Sequence, residues 1–495
     1  MVEIKTSNGN TYEWDDEIGL LIPSSNTMKL VINEISNNSY SNENEIIKDL
    51  LKICDADDVY YYHSWMKKLN GIKNKNHNQE INQDITTSNI REYLLRTGYS
   101  QLILGVTEAC NFRCKYCAYS DNYEYSRNHS ENYMDFKIAK KAIDYYMSLI
   151  DEGCRYNPLR KPVIGFYGGE PLLNFRLIKK CVEYVKRCYE NEGVKYHITT
   201  NGSLLNREKA DYLMDHDFVM SISIDGPEDE HNRNRLYKNG NGTFKDVMKN
   251  VRRIIDVKYE NISSMPVIDW KSDLFKLEYF FNRDDVPPVS TVTTVSTNSG
   301  CRYYEQFTEK DKLEFRELLK KARDHYFKSL NFEKQNERPS FFYKLFNEPL
   351  EKVFLDCVSI YSPPSIMPFT DACVPGLKLF LDVHGEYHAC EKLTSNHPIG
   401  NVNEGLNYEK IGELRRNYLN HMDKCQNCKV KRRCFYCYLV FENNVGFSYS
   451  SEFCKEVESK QKTNLSESIT IAEINPRIVE ENSVLYKNIK KYYGD

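Results

Sequence analysis

From residue 101 onward, the chain alternates short apolar runs with longer segments whose apolar residues recur every three or four positions. The short runs are typical of buried strands and the longer segments of amphipathic helices. The predicted strands are 101–106, 163–167, 196–199 and 218–224, with weaker ones at 262–268 and 289–295. Strand–helix alternation predicts a parallel sheet with helices packed outside it, so this is an α/β fold. Six such units would form a partial (β/α)6 TIM-type barrel, with its site at the carboxyl ends of the strands.

The first 95 residues show a different pattern. Two predicted strands flank Asn8-Gly9-Asn10, which is a hairpin signal, and a third strand is predicted at 20–22. Helical patterns follow at 28–35 and 46–53, and the Asn-rich stretch 74–89 is predicted to be a linker. The predicted divisions are an N-terminal unit at 1–95, the barrel at 96–309, a helical bridge at 310–356, a cysteine-rich domain at 357–470 and a tail at 471–495.

Composition narrows the class of protein. The 495 residues are too many for one core, and the net charge of −4 argues against a nucleic-acid partner. No stretch approaches the roughly 20 apolar residues of a membrane span, and residues 1–10 carry no apolar signal core. We therefore expect a cytoplasmic protein without a membrane partner. In that compartment the 16 cysteines are expected to be metal ligands or redox groups rather than disulfides.

Three of the cysteines, Cys110, Cys114 and Cys117, directly follow the first predicted strand of the barrel. Thiolates are the natural ligands of a cubane cluster of four irons, and three of them leave one iron open to a small molecule. The alternative is a zinc site with a distant fourth ligand.

The spacing Cys-x3-Cys-x-aromatic-Cys, with Tyr116 in the aromatic position, resembles the signature of the radical S-adenosylmethionine (SAM) superfamily. The resemblance implies a catalytic [4Fe-4S] cluster on these cysteines. It also implies that SAM chelates the open iron and is cleaved by one electron, which releases a 5′-deoxyadenosyl radical that abstracts hydrogen from a substrate.

A second motif, Gly168-Gly169-Glu170-Pro171, follows the next strand. Two glycines let the backbone approach a ligand, and a carboxylate accepts hydrogen bonds from an ammonium group. By resemblance to the Gly-Gly-Glu-Pro motif of the family, these four residues hold the amine of SAM. A glycine turn capped by glutamate is the alternative.

Two later strand ends also resemble family segments that line the SAM pocket. These are the segments at 199–202 and 223–227, and His231 with Arg235 completes a His-x3-Arg pattern. The resemblance, which covers about residues 100–270, implies SAM contacts by Asn201, Ser223 and Arg235. Ordinary turn chemistry is the alternative for each of them.

The C-terminal third contains seven more cysteines on a regular plan, namely Cys373, Cys390, Cys425, Cys428, Cys434, Cys437 and Cys454. On spacing alone, a zinc ribbon competes with iron–sulfur clusters. The plan resembles the SPASM domain, which binds two auxiliary [4Fe-4S] clusters, and this gives three clusters in all. The resemblance implies that Cys373, Cys390 and Cys437 hold the first auxiliary cluster, and that Cys425, Cys428, Cys434 and Cys454 hold the second.

One departure from the SPASM pattern concerns Cys437. Only two residues separate it from Cys434, where the family has three, so its assignment is open. The first auxiliary cluster then lacks a fourth ligand. Cys357 is the candidate, and an inert buried cysteine or an open iron is the alternative.

The resemblance implies a peptide substrate. The hypothesis that the N-terminal 95 residues favour is a maturase that installs a thioether in a ribosomally synthesised precursor peptide, of the sactipeptide or ranthipeptide type. A flavodoxin- or ferredoxin-type protein would supply the electron. By analogy, residues 1–95 form a winged-helix-like domain that recognises the leader peptide; a structural extension is the alternative. Other hypotheses are an anaerobic sulfatase-maturating enzyme, a carbon–carbon crosslinking maturase and, from a different class, a zinc-ribbon scaffold or iron–sulfur electron carrier.

Overall fold

The computed structural model of the chain describes most of the predicted barrel and parts of the regions on either side. The described residues are 2–16, 20–37, 43–64, 66–67, 87–123, 127–190, 193–295, 301–329, 340–348, 350, 375–392, 394–420, 425, 428–430, 433–434, 442–443, 446–447 and 451–474. Within them, no helix combines the length and apolar character needed to cross a membrane.

The strands, in chain order, are β1 (Val2–Lys5), β2 (Thr11–Asp15), β3 (Leu20–Pro23), β4 (Gln101–Thr107), β5 (Val163–Gly168), β6 (Lys195–Thr200), β7 (Val219–Ile222), β8 (Ile262–Ser264), β9 (Val267–Ile268), β10 (Thr293–Thr294), β11 (Lys378–Leu381), β12 (Glu386–His388), β13 (Gly400–Asn401), β14 (Gly405–Leu406), β15 (Glu442–Asn443) and β16 (Gly446–Phe447).

The helices are α1 (Asn26–Asn37), α2 (Glu43–Leu50), α3 (Thr87–Thr97), α4 (Phe136–Cys154), α5 (Phe175–Cys188), α6 (Arg207–Asp215), α7 (Glu228–Asn234), α8 (Phe244–Asp256), α9 (Leu274–Phe281), α10 (Glu309–Ser329), α11 (Tyr408–Asn420) and α12 (Ser451–Ile474).

The central sheet has nine strands in the order β14-β13-β12-β11-β4-β5-β6-β7-β8. Strands β11 and β4 to β8 run parallel, whereas β12, β13 and β14 are antiparallel additions at one edge. All residues of β4 after Gln101 are buried, as expected of a central parallel strand covered on both faces. A mainly parallel α/β sheet is therefore confirmed.

The sixth predicted barrel unit is attached differently from the others. The apolar run at 262–268 forms two short strands, β8 and β9, and the run at 289–295 forms only β10, which pairs with β9 in a separate two-stranded sheet. A single parallel bridge from Ser264 to Val289 links this pair to the main sheet. Prolines explain the interruption, because Pro266 and Pro287-Pro288 cannot donate ladder hydrogen bonds.

The first strand of the cysteine-rich region belongs to the barrel sheet. β11 pairs in parallel with β4, from Lys378 opposite Gln101 to Leu381 opposite Leu104. Leu379, Leu381 and Tyr387 are buried in the same core as the barrel strands. An apolar core shared with the barrel therefore holds β11 and β12 in place.

The N-terminal residues form the predicted three-stranded antiparallel sheet, in the order β1-β2-β3, followed by α1 and α2. This sheet packs against α12: Val2, Ile4 and Trp14 share a small apolar core with Leu465 and Ile469. The Ser466 hydroxyl also donates a 2.5 Å hydrogen bond to the Lys5 carbonyl. The first and last elements of the described chain therefore meet.

Replacing Leu465 with alanine should release this contact. Leu465 is fully buried in a cluster of five side chains, and such truncations cost about 2–5 kcal/mol. We expect faster amide hydrogen exchange in β1 and unchanged exchange in β5 and β6. Leu213→Ala, at an equally buried barrel position in α6, is the matched control. It should speed exchange in β5 and β6 and leave exchange in β1 unchanged. Equal exchange changes in both variants would contradict the contact.

Candidate active site

The cysteine loop begins three residues after β4 ends. Cys110 is buried, whereas Cys114 and Cys117 are half-buried. The backbone N–H of Phe112 donates to the Cys110 sulfur and that of Tyr119 to the Cys117 sulfur, each at 3.4 Å. Burial raises the pKa of the Cys110 thiol to about 12. The loop thus points N–H donors at sulfur atoms in a dry environment.

The end of β5 is bonded to the start of this loop. The N–H of Gly169 donates to the Thr107 carbonyl and that of Glu170 to the Ala109 carbonyl, each at 2.8 Å. Gly168 has a φ of +137°, and a Cβ at Gly169 would lie 2.3 Å from the Ala109 oxygen. Only glycine allows so close an approach, so these two positions set the distance between the strand end and the cysteines.

Glu170 is completely buried and joins two strand ends. Its carboxylate accepts from the Leu172 N–H at 3.0 Å, the Thr200 hydroxyl at 2.6 Å and the Asn201 N–H at 2.7 Å. Burial nevertheless raises its pKa above the ordinary value. These contacts correspond to the glycine turn capped by glutamate, which was the alternative interpretation of this motif. Pro171 is buried at the start of the turn that follows. Contact between Glu170 and the amine of SAM stays a prediction.

Two further predicted residues lie at the neighbouring strand ends. The Asn201 side-chain amide donates to the Asn111 side chain at 2.9 Å and lies 4.0 Å from the Cys110 sulfur. Ser223 follows β7 and is half-buried, with its N–H bonded to the Thr200 carbonyl at 3.0 Å. The ends of β5, β6 and β7 therefore meet next to the cysteine loop.

Asp225 is the central carboxylate of the site, and the sequence did not single it out. It accepts a short hydrogen bond from the Tyr116 hydroxyl and pairs with the Arg235 guanidinium at 3.0 Å. Arg235 in turn lies 3.9 Å from the Cys114 sulfur and 5.4 Å from the Tyr116 ring centre. Burial alone would lower the pKa of Arg235, but the charge of Asp225 raises it overall. This pair anchors the middle of the cysteine loop.

His231 contacts the backbone of Asp225. It is fully buried, accepts from the Asp225 N–H at 3.4 Å and lies 3.0 Å from the Thr243 hydroxyl. Burial lowers its pKa well below the ordinary value, so the ring is neutral. The predicted His-x3-Arg pattern thus holds Asp225 from two sides.

Comparison with known proteins identifies the superfamily to which the chain belongs. Residues 104–269 match the model of the radical SAM superfamily. An uncharacterized protein of Methanocaldococcus jannaschii is 30% identical over 315 residues, which span 62% of this chain and 90% of that protein. The chain belongs to the radical SAM superfamily.

One further sequence relative and one solved structure are also similar to this chain. A cysteine-type anaerobic sulfatase-maturating enzyme of Clostridium novyi is 28% identical over 189 residues, which span 38% of this chain and 48% of that enzyme. The solved structure of native anSMEcpe with bound AdoMet and the Cp18Cys peptide has a TM-score of 0.56 at 20% identity, covering 78% of this chain and 99% of that one. The latter likeness is one of fold.

Radical SAM membership implies SAM and a [4Fe-4S] cluster, and thiolates such as those of the cysteine loop are the natural ligands of such a cluster. Sulfur atoms around a tetrahedral zinc ion lie about 3.8 Å apart, given Zn–S bonds of about 2.3 Å. In the part of the chain that the structure describes, the one group of three His, Cys, Asp or Glu ligand atoms lying within 4.8 Å of one another is Asp382, Glu386 and His388. The sulfur atoms of Cys110, Cys114 and Cys117 do not all lie within 4.8 Å of one another in this structure.

The β11–β12 hairpin explains why Asp382, Glu386 and His388 lie close together. The Asp382 carboxylate accepts from the N–H groups of His384 and Glu386 at the β11–β12 turn and from His388 at 2.9 Å. The Arg127 guanidinium lies 3.6 Å from the same carboxylate. An oxygen set already bonded to donors and faced by a cation is a poor cation site.

The predicted auxiliary cysteines are described in part. The pKa of Cys425 is raised to about 11, first by burial and then by the charges of Cys454 and Cys428. These three cysteines are therefore close together. Cys434, the fourth predicted ligand of this set, is half-buried like the other three. The predicted ligands Cys357, Cys373 and Cys437 lie outside the described residues.

Cys390 lies on the cysteine-loop side of the barrel. Tyr167, next to the last residue of β5, has a pKa raised first by burial and then by the charges of Glu391, Tyr119, Cys117 and Cys390. The charges that act on this tyrosine thus include two cysteines from different parts of the chain.

Gly169→Ala tests the close approach of the two loops. The new methyl group would overlap the Ala109 carbonyl, so the cysteine loop must shift. Displacements of about 1 Å can cost about a hundredfold in rate, and we expect a loss of that order in 5′-deoxyadenosine formation, together with reduced iron content. Gly240→Ala is the control, because a Cβ at Gly240 would meet nothing within 4 Å, although Gly240, unlike Gly169, has a positive φ. Normal iron binding by Gly169→Ala would contradict the argument.

A double-mutant cycle tests the buried pair of Asp225 and Arg235. Asp225→Asn or Arg235→Met alone leaves one buried charge unpaired, which costs about 3–5 kcal/mol. The double variant should be less destabilised than the sum of the two single variants. Urea unfolding of the cluster-free protein measures the three free energies. Additive effects would show that the two residues do not act as a pair.

Proposed function

We propose that this radical SAM enzyme is a peptide maturase that installs a thioether crosslink, from cysteine sulfur to carbon, in a ribosomally synthesised precursor peptide. The observation that carries the proposal is the pairing of β11 with β4, which joins the cysteine-rich region to the sheet of the SAM-cleaving loop, together with the presence of Cys117 and Cys390 among the charges that act on Tyr167. It brings a predicted auxiliary-cluster ligand to the same side of the barrel as the SAM-cleaving loop. A substrate bound between them would meet both.

Each motif residue has a proposed role. Cys110, Cys114 and Cys117 hold the catalytic cluster, which supplies when bound the single electron that cleaves SAM. The residues proposed to line the SAM site are Tyr116, Gly168, Gly169, Glu170, Pro171, Asn201, Ser223 and Arg235. Asp225 is a positioning residue, because it acts through Tyr116 and Arg235.

The chemistry explains why auxiliary clusters would be needed. Thioether formation breaks one S–H and one C–H bond and forms one S–C bond, so two hydrogens leave the peptide. One leaves as an atom and the other as a proton plus an electron, and that electron needs an acceptor. Auxiliary [4Fe-4S] clusters would accept it. The proposed ligands are Cys373, Cys390, Cys437 and Cys357 for the first, and Cys425, Cys428, Cys434 and Cys454 for the second.

The N-terminal sheet is the proposed leader-binding unit. Its two edges differ: β1 lies along α12 and receives the Ser466 hydroxyl on the Lys5 carbonyl, whereas β3 is at the opposite edge. An extended leader peptide adding to this sheet would therefore pair with β3.

Formylglycine formation is the second candidate function. It is favoured by the sequence match to the Clostridium novyi enzyme, which is named as a cysteine-type anaerobic sulfatase-maturating enzyme. A formylglycine product carries an aldehyde that reacts with a hydrazide, and a thioether does not. A carbon–carbon crosslink leaves the cysteine thiol open to alkylation, whereas a thioether consumes it.

Co-expression with a cysteine-rich peptide encoded beside this gene tests the proposal. We expect the peptide to become lighter by two hydrogen atoms per crosslink, to lose one alkylatable thiol per crosslink and to remain unreactive towards hydrazide. Cys114→Ala should abolish the mass change. Cys181→Ala, at a buried cysteine in α5, is the control and should retain it. An unchanged peptide mass, with SAM cleavage intact, would reject the thioether activity.

A further inference from the structure

The barrel sheet carries a line of hydroxyl side chains on the face that points away from its helices. The apolar core on the helix side contains one residue from each of four neighbouring strands, namely Phe166, Ile198, Met220 and Ile262. These four residues are paired in register with one another. Because side chains alternate between the two faces of a strand, the residue after each of them points into the barrel. These residues, which we call the hydroxyl row, are Tyr167, Thr199, Ser221 and Ser263.

The hydroxyl row has unused hydrogen-bonding capacity. All four residues are half-buried, and within the part of the chain that the structure describes none of their side chains forms a hydrogen bond. Interior positions of barrels of this type are commonly filled by branched apolar side chains, and polar groups inside proteins are normally paired. Four hydroxyl groups left over at one level of the sheet therefore indicate a surface that bonds to a ligand.

The dimensions of the hydroxyl row suit a short piece of polypeptide. Neighbouring strands lie about 4.8 Å apart, so the row spans three strand spacings, or about 14 Å. An extended chain rises about 3.3 Å per residue, and about four residues cover that length. Thr199, Ser221 and Ser263 are small, which leaves room for a backbone to approach the sheet. A hydroxyl group both donates and accepts hydrogen bonds, as the N–H and carbonyl groups of a peptide require.

The position of the hydroxyl row places it beside the predicted SAM pocket. Ser221 precedes Ser223 by two residues, so both side chains point to the same face and Ser221 lies one level deeper. At the other end of the row, the charges that act on Tyr167 include those of Cys117 and Cys390. A molecule that rests on the row would therefore lie next to the site of SAM cleavage.

We propose that the hydroxyl row binds main-chain amide groups of the precursor peptide and so holds the residue to be modified beneath SAM. This inference rests on the proposed function, which supplies the occupant. Each hydroxyl donates to a peptide carbonyl or accepts from a peptide N–H. Binding through the main chain holds the peptide whatever side chains flank the modified residue.

SAM itself is the competing occupant of the hydroxyl row. The peptide is favoured because the residues predicted to bind SAM, such as Asn201 and Ser223, follow the strands β6 and β7, whereas Thr199 and Ser221 lie within them. A purely structural role in the sheet is the other alternative. It is disfavoured because the four hydroxyls bond to no group in the described part of the chain.

The triple variant T199V/S221A/S263A tests the hydroxyl row and leaves Tyr167, which adjoins Gly168, in place. Each lost neutral hydrogen bond weakens binding about two- to tenfold, so peptide affinity should fall at least about tenfold. Isothermal titration of the cysteine-rich peptide encoded beside this gene into the reconstituted, SAM-bound protein measures it. Thr199→Ser keeps its hydroxyl and should bind the peptide as the parent does. The urea midpoint of the cluster-free triple variant should not fall, because no hydrogen bond within the protein is lost.

The matched control is T463V/S148A/S459A, which makes the same three changes at exposed helical positions in α4 and α12. It should bind the peptide as the parent does. Unchanged peptide affinity in the row variant, an equal loss in the control, an equal loss of SAM affinity or a lower urea midpoint would each overturn the proposal. A parent that binds the peptide and cleaves SAM but forms no crosslink would instead count against the proposed function alone.

Discussion

The backbone contact between residues 168–170 and residues 107–109 is the constraint on which the site depends. Two N–H groups on one strand end bond two carbonyls at the root of the cysteine loop. Because a side chain at Gly169 would occupy the space of a carbonyl oxygen, the contact can form only with glycine there. Glu170 then extends the contact to β6 by accepting from Thr200 and Asn201. The position of the cysteines thus follows from main-chain geometry more than from side-chain packing.

Much of this arrangement could be predicted from local patterns. Buried parallel strands carry continuous apolar runs, so β4 to β7 were identifiable, and the motifs at their carboxyl ends were expected to meet at one edge. The role of Asp225 could not be predicted in the same way. Its partners, Tyr116 and Arg235, come from other segments, and only the fold brings them together. The available signal was an acidic residue directly after an apolar strand, within the segment quoted for its resemblance.

Contacts between elements far apart in the chain could not be predicted from the sequence, for a related reason. Nothing in the residues of β11 indicates that it pairs with β4, which lies about 280 positions earlier, because an apolar strand fits any parallel neighbour. The packing of α12 against β1 is also invisible locally, since α12 has buried positions that would suit several surfaces. The interrupted sixth unit, in contrast, was foreseeable from its three prolines.

The pairing of β11 with β4 has a consequence for electron movement. Cys110 follows β4 by three residues, and Cys390 follows the hairpin partner of β11 by two. The segments that carry both cysteines therefore start from one continuous ladder of hydrogen bonds. With the proposed auxiliary cluster bound near Cys390, the register of this sheet would also limit the distance that an electron must travel, on which tunnelling rates depend steeply.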